Sequence, residues 1–210
     1  MTVDDPIQVE PDLAGIVRPA WLALDRLTIV DSDPRLDEPL RAAAAAMHAG
    51  GDDLTATVAA VRTMYKRTGV DPTKTRPSSE ALLRRVRKGG ELPRINSAVD
   101  VVNWCSMESQ LPFGLYDVDR LHGPVTLRLG RPGEEYPGIR KDVVHLAGRM
   151  TLADDGGPFG NPTSDSARAM VTTTTTGVFV VLFVPAALPG HTGERARVTT
   201  HDRLLAFCRR

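Results

Sequence analysis

The chain has 210 residues, and its 26 Lys and Arg are balanced by 26 Asp and Glu, so its formal charge is zero. Such a length can bury a sizeable core in one domain, and a balanced charge excludes a global electrostatic attraction to nucleic acid or membrane, so any polyanion site has to be local. The two cysteines, Cys105 and Cys208, stand far apart, no apolar signal segment opens the sequence, and the longest apolar run, Val178 to Pro185, is far short of the roughly 20 residues that span a bilayer; the expectation is a reduced, cytoplasmic protein with no disulfide and no membrane contact.

Residues 1–12 are acidic and hold two prolines, which predicts a flexible lead-in before a single domain over 13–210. Apolar residues from Ile16 to Val30 predict strand. Asp33-Pro34 opens an alanine-rich helical stretch that ends at Gly50-Gly51, and Asp52 or Asp53 is placed to cap a second helix reaching about Thr68. Pro77 at its start and Gly89-Gly90 past its end bracket a short helix with Leu82, Leu83 and Val86 as its buried stripe. Arg84, Arg85, Arg87 and Lys88 take the remaining face, and with Lys74, Arg76 and Arg94 they set seven basic residues against Glu80 and Glu91. Such a cluster suits a polyanion but equally suits a solvated helix face, whose long stems cover apolar surface.

Asn96 is the expected cap of a helix over Ser97 to Glu108, with Ala98, Val101, Val102 and Cys105 inward. From Val125 the pattern turns to strands: Val125 to Leu129, Val143 to Leu152, about Ala169 to Thr174, and Val178 to Val184, with a closing helix over Thr199 to Arg210. The threonine run 172–176 reads as strand because β-branched residues favour the pleat. Helices early and strands late give an α+β domain, a mixed sheet flanked by helices.

Among chemical motifs, the histidines at 48, 122, 145, 191 and 201 have no metal-ligand spacing, so no metal or other cofactor is expected. Cys105 lies on an apolar helix face and reads as an inert thiol. Ser164 and Ser166 lack a nucleophile elbow. No phosphate-binding loop or dinucleotide fingerprint is present.

Taken together, RPSSEALLRRVRKGG, LPRINSAVDVVNW, LPFGLYDVDRL and GGPFGNPTSDS resemble a free-standing B3/B4 domain protein, a relative of the editing domain of the phenylalanyl-tRNA synthetase β subunit. The resemblance covers about residues 60 to 185. It implies hydrolysis in trans of a mischarged amino acid from the 3′ end of tRNA, with tRNA as partner and a synthetase as a further candidate partner. Such a second site is needed because binding alone separates side chains differing by one methylene only about 10- to 200-fold. A non-catalytic tRNA- or amino-acid-binding module, or a sensor of free amino acids, is the competing reading.

Residue by residue, Asp100 and Asn103 fall where the synthetase domain has an Asp and an Asn, so Asn103 carries over as a pocket group. A pocket His of the synthetase pattern falls at Gly114, its editing Glu near Pro162, and an Arg preceding the helix at Pro93, one position from Arg94. Without that His and Glu, the synthetase's own substrate is not inherited, and an amino-acid analogue such as an arginine mimic is open as the target.

An aminoacyl ester is already activated, so a site has only to orient water and stabilise the oxyanion. Asn103, Asp165 and Ser166 are the expected catalytic group. Phe113, Gly114, Tyr116, Asp117, Gly156, Gly157, Phe159, Thr163 and Ser164 are the expected substrate contacts, with the glycines of 156–160 allowing close backbone approach and Phe159 walling the pocket or stacking on the terminal adenine. Glu108 is a further nearby acid. Arg76, Arg84, Arg85, Arg87, Lys88 and Arg94 are the expected tRNA contacts.

Overall fold

The computed structural model describes residues 7–50, 54–139 and 143–209. In chain order it contains β1 (Ile7–Val9), β2 (Val17–Leu24), α1 (Asp37–His48), α2 (Thr55–Arg67), α3 (Ser78–Arg87), α4 (Ser97–Ser109), β3 (Phe113–Asp117), β4 (Val125–Leu129), β5 (Glu135–Pro137), β6 (Val143–His145), β7 (Met150–Asp154), β8 (Gly157–Gly160), β9 (Val178–Pro185) and α5 (Gly190–Cys208). Among the described residues these strands form three sheets, ordered β1-β4-β7-β8, β2-β9-β3 and β5-β6. The first is mixed, because β1 runs parallel to β4 while its other pairs are antiparallel. This is the α+β class that helices early and strands late imply.

β9 is the core. All eight of its residues are buried, as a continuous apolar run of this length demands when helices cover a central strand. It pairs with β2 along Val17 to Leu24 and with β3 along Phe113 to Asp117. Helix α5 packs across β2 and β9, where a β-carbon on Gly193 would stand 2.9 Å from a Val184 methyl. The helix starts nine residues before Thr199, and its opening GHTG, poor in helix formers, is held by that close packing.

Several expectations are corrected. Residues 7–9 are no lead-in: Ile7 is buried and pairs with Val125, and Leu13 follows in a short 3-10 turn; residues 1–6 lie outside the described residues. The stretch 143–152 is two strands, β6 and β7, with a turn between them. Ala167–Ala169 is a 3-10 turn, and the threonine run closes a further turn, with the Thr172 amide donating to Thr175 Oγ1 at 3.0 Å. Hydroxyls that bond neighbouring amides compete with strand pairing. The Asp52 or Asp53 cap lies outside the described residues.

Helix α4 follows its sequence signals closely. Asn96 Oδ1 accepts from the Val99 amide at 2.9 Å, satisfying one of the orphan donors of the first turn. Gln110, left-handed at φ 56°, ends the helix, and the chain turns directly into β3.

Candidate functional site

The NPTSD segment after β8 is where the chain's chemistry converges. Asn161 Oδ1 accepts from the amides of Thr163 and Ser164, both at 2.8 Å, which winds 161–164 into a tight side-chain-closed turn. The chain has only three tyrosines, and all three donate to this turn. Tyr65 on α2 donates to the Pro162 carbonyl at 2.7 Å, Tyr136 on β5 to the Ser164 carbonyl at 2.6 Å, and Tyr116 on β3 to Asp165 Oδ1 at 2.7 Å. Asn161 Nδ2 in turn donates to the Tyr136 hydroxyl at 2.9 Å. Burial raises the pKa of each phenol above its ordinary value, so all three stay protonated and act as donors.

Tyr116 is fully buried, with its ring edge-on to Phe159 at 4.8 Å between centroids. Its hydroxyl passes between two glycines. A β-carbon on Gly114 would stand 2.0 Å from that oxygen, and one on Gly160 2.1 Å, so only residues without a side chain fit there. Asp165 also accepts from the backbone amides of Asn161 and Leu115, yet burial dominates and pushes its carboxyl up to about 7.

Beside this turn lies a recess of about 30 Å³, lined by Tyr65, Thr68, Val70, Thr75, Val144, Arg149, Met150 and residues 161–164. It has room for one water and none for an amino-acid side chain, with Thr75, Arg149, Asn161, Thr163 and Ser164 as polar groups among the apolar Val70, Val144, Met150 and Pro162. A larger groove of about 610 Å³ lies between α1 and the connection from α3 to α4. Its floor is Leu40, Ala44, Val86 and Leu92, and two of its rim cations are already paired, Arg41 with Glu38 and Arg94 with Asp37. It has no converging polar groups like those at 161–165, so the smaller recess is the candidate site.

The structure brings Gly114, Tyr116, Phe159, Thr163, Ser164, Asp165 and Ser166 into one neighbourhood. Phe159 is fully buried against Tyr116 and does not line the recess, so it braces Tyr116 and presents no face on which an adenine could stack. Ser166 is buried, and its Oγ accepts from the Arg168 amide at 3.1 Å, capping the turn at 167–169.

Other expected residues stand apart. Asn103 is half-buried on α4 and does not line the recess. Phe113 lies on the strand face opposite Gly114 and Tyr116 by the two-residue alternation of β3. Asp117 accepts from the Asp119 amide at 3.0 Å and from Thr175 Oγ1 at 2.6 Å, bracing two turns. Gly156 and Gly157 belong to the β7–β8 hairpin, closed by Asp154 and Arg168. At about 3.3 Å per residue along β8, Gly156 is roughly 15 Å from Asn161. Glu108 accepts from Trp104 at 2.7 Å and from Arg203 at 2.6 Å. Cys105 is buried, and desolvation raises its thiol pKa, in keeping with an inert thiol.

The basic residues divide in the same way. Arg94 is built in: it pairs with Asp37, donates to Asp100 Oδ2 at 2.7 Å and reaches the Asp33 carbonyl at 3.0 Å. Arg76 sits 3.4 Å from Glu80, which Arg62 also grips at 2.6 and 2.8 Å. Arg84, Arg85, Arg87 and Lys88 are exposed on α3, and Arg85 donates to the Glu91 carbonyl at 2.5 Å. Sequence reasoning missed Tyr65, Tyr136 and Asn161. The signal available was the scarcity of tyrosine.

The B3/4 domain family profile matches residues 60–195, and the chain belongs to that family. The phenylalanine–tRNA ligase beta subunit of Xanthomonas campestris pv. campestris is 32% identical over 126 residues, 58% of this chain and 16% of that subunit. The corresponding subunit of Fusobacterium nucleatum subsp. nucleatum is 34% identical over 83 residues, 39% of this chain and 10% of its own length. Among solved structures, an N-terminal fragment of the phenylalanyl-tRNA synthetase beta subunit from Pyrococcus horikoshii is similar with a TM-score of 0.48 and 12% identity, covering 96% of this chain and 48% of that fragment. The chain therefore spans a small part of the curated relatives it matches. The matched family segment includes all three tyrosines and the turn they hold.

Proposed function

We propose that the chain is an aminoacyl-tRNA deacylase acting in trans, which hydrolyses the ester of a mischarged amino acid at the recess beside residues 161–165. Membership of the B3/4 family and the synthetase subunits among the relatives support the substrate class. The observation that carries the reading is the recess itself: a water-sized cavity with a few polar groups, whose rim is a turn locked by three phenols. A reaction on an activated ester asks for an oriented water and fixed dipoles, and those are what a rigid turn beside such a cavity supplies.

The chemistry runs without a strong protein base. Asp165 is buried and bonded to Tyr116; Asp117 and Glu108 each accept two hydrogen bonds, and none of the three lines the recess, so these acids orient structure and the water's proton goes elsewhere. Asp165, Ser166 and Asn161 then act as positioning residues that hold the turn, and Thr163 and Ser164 face the ester. The water oxygen bonds to the ester carbon while the free ribose hydroxyl of the terminal nucleotide takes the water's proton and gives its own to the departing ester oxygen, which leaves as the second ribose hydroxyl. The amino acid rests at the mouth of the recess, since nothing larger than water enters it. The exposed face of α3 contacts the tRNA backbone.

The test is release of labelled amino acid from a panel of correctly and incorrectly charged tRNAs. Release from one mischarged species, lost when that tRNA ends in a deoxyribose lacking the free hydroxyl, supports the reading; normal hydrolysis of the deoxy species refutes the ribose role. The enclosed acids also favour a second reading, a tRNA- or amino-acid-binding module without turnover. Binding of charged tRNA with no release from any species selects it.

A further inference from the structure

The mouth of the recess carries a cation that the fold itself leaves unused. Arg149 immediately precedes β7, and its amide donates to the Leu146 carbonyl at 2.8 Å while its carbonyl accepts from the Gly130 amide at 2.8 Å. The neighbouring backbone is packed so closely that a β-carbon on Gly130 would stand 2.1 Å from the Leu146 oxygen. The backbone of Arg149 is therefore fixed while its side chain is exposed. Among the described residues the guanidinium makes no ion pair or side-chain hydrogen bond, although Arg149 lines the recess together with Thr75, Thr163 and Ser164. Its charge reaches the turn, where it opposes the burial that raises the Tyr136 phenol. Exposed Lys74 precedes Thr75, another residue of the lining.

The distance to the other free cations gives this placement its meaning. Ser78, at the start of α3, donates to the Pro162 carbonyl at 3.3 Å, so α3 leads away from the recess. At 1.5 Å per residue its ten residues put Arg87 and Lys88 about 15 Å off. A backbone held by those cations has no partner near the ester unless a closer one exists.

Resting on the deacylase reading, we propose that Arg149 binds the phosphodiester nearest the ester-bearing nucleoside, by a charge-assisted, forked contact that sets the 3′ end over the recess. The contact positions the terminal nucleotide and takes no part in proton transfer. An anionic group of the amino acid is the other chemistry that could meet this guanidinium, and the test separates the two.

The probe is an uncharged trinucleotide CCA, titrated by fluorescence anisotropy against the full chain at several salt concentrations. A second probe carries a neutral methylphosphonate at its last linkage. The wild type should bind the natural probe roughly tenfold more tightly than the neutral one. Arg149→Gln should abolish that difference and lower the salt slope by about 0.7, the share of one phosphate on a single strand. Arg149→Lys should recover the salt slope and only part of the affinity. An unchanged slope in Arg149→Gln, equal binding of both probes by the wild type, or no binding of either, overturns the inference. A wild type that discriminates the probes as expected but releases no amino acid from any charged tRNA refutes the deacylase reading and keeps this contact. Loss of release confined to one charged amino acid in Arg149→Gln, with probe binding intact, assigns the guanidinium to the amino acid and overturns the phosphate assignment.

Discussion

A β-carbon at residue 114 would stand 2.0 Å from the Tyr116 hydroxyl oxygen and 2.5 Å from Cζ, where ordinary contact begins at about 3.4 Å. The tyrosine has nowhere to go: it is fully buried, its ring rests on Phe159 and its hydroxyl is tied to Asp165. Gly114→Ala therefore forces the ring to shift by more than 1 Å. Overpacking of this kind costs about 1–3 kcal/mol, and parting the hydroxyl from a carboxylate adds about 1.5–3 kcal/mol. The expected loss is about 2.5–6 kcal/mol, a large part of the roughly 5–15 kcal/mol that stabilises a domain. Urea unfolding should show it as a midpoint lowered by about 2 M. Tyr116→Leu removes the oxygen and ring atoms that meet the new β-carbon. In that background Gly114→Ala should be neutral or stabilising by about 0.4–1 kcal/mol, because alanine restricts the unfolded chain. A loss below about 1 kcal/mol beside Tyr116, or equal losses in the two backgrounds, refutes the reasoning.

Asp165 makes stability depend on pH in the direction opposite to a salt-bridged acid. Its folded-state pKa is raised from 3.8 to about 7, so between those values the folded chain holds a proton that the unfolded chain releases, and stability is greatest below about pH 4 and falls as pH rises to about 7. Three units correspond to an upper limit of about 4 kcal/mol. The stability difference between wild type and Asp165→Asn, followed by urea titration from pH 4 to 8, should change by this order, and a constant difference sinks the assignment. Tyr136→Phe leaves the Ser164 carbonyl and Asn161 amide each short of a partner, so a loss of about 1–3 kcal/mol is expected, with slower release of amino acid as the turn loosens. Replacing Arg84, Arg85, Arg87 and Lys88 by Gln should weaken tRNA binding and flatten its salt dependence while leaving thermal unfolding within a few degrees; unchanged tRNA binding removes α3 from the interface.

What the sequence disclosed depended on whether local chemistry decided the outcome. Asn96, the apolar stripe of α4 and the stretch Val125 to Leu129 were legible because a cap, a helical period and an alternating pattern each act within a few residues. β8 was illegible: Gly157, Pro158 and Gly160 are poor strand formers, yet they form a strand at the edge of its sheet, where proline is tolerated. The threonine run failed for the reverse reason, since strong β-formers there satisfy one another and Asp117 across a turn. The candidate site itself hid behind long range. The tyrosine bonds that define it join residues 97, 49 and 28 positions apart, which no local window connects. Asp165 was picked out, but as an acid in a motif, and only the fold places it under three donors.

The mutual exclusion of the ring at 116 and any side chain at 114 or 160 also fixes an order of events for sequence change. A lineage, or a protein engineer, moving from a side chain at 114 to the present arrangement must empty 114 and 160 first and enlarge 116 afterwards, because the reverse order passes through an overcrowded intermediate. Travelling back, 116 must shrink before 114 can grow. Each position thus holds the key to its neighbour's variation, and a histidine grafted onto residue 114 alone would meet a locked door.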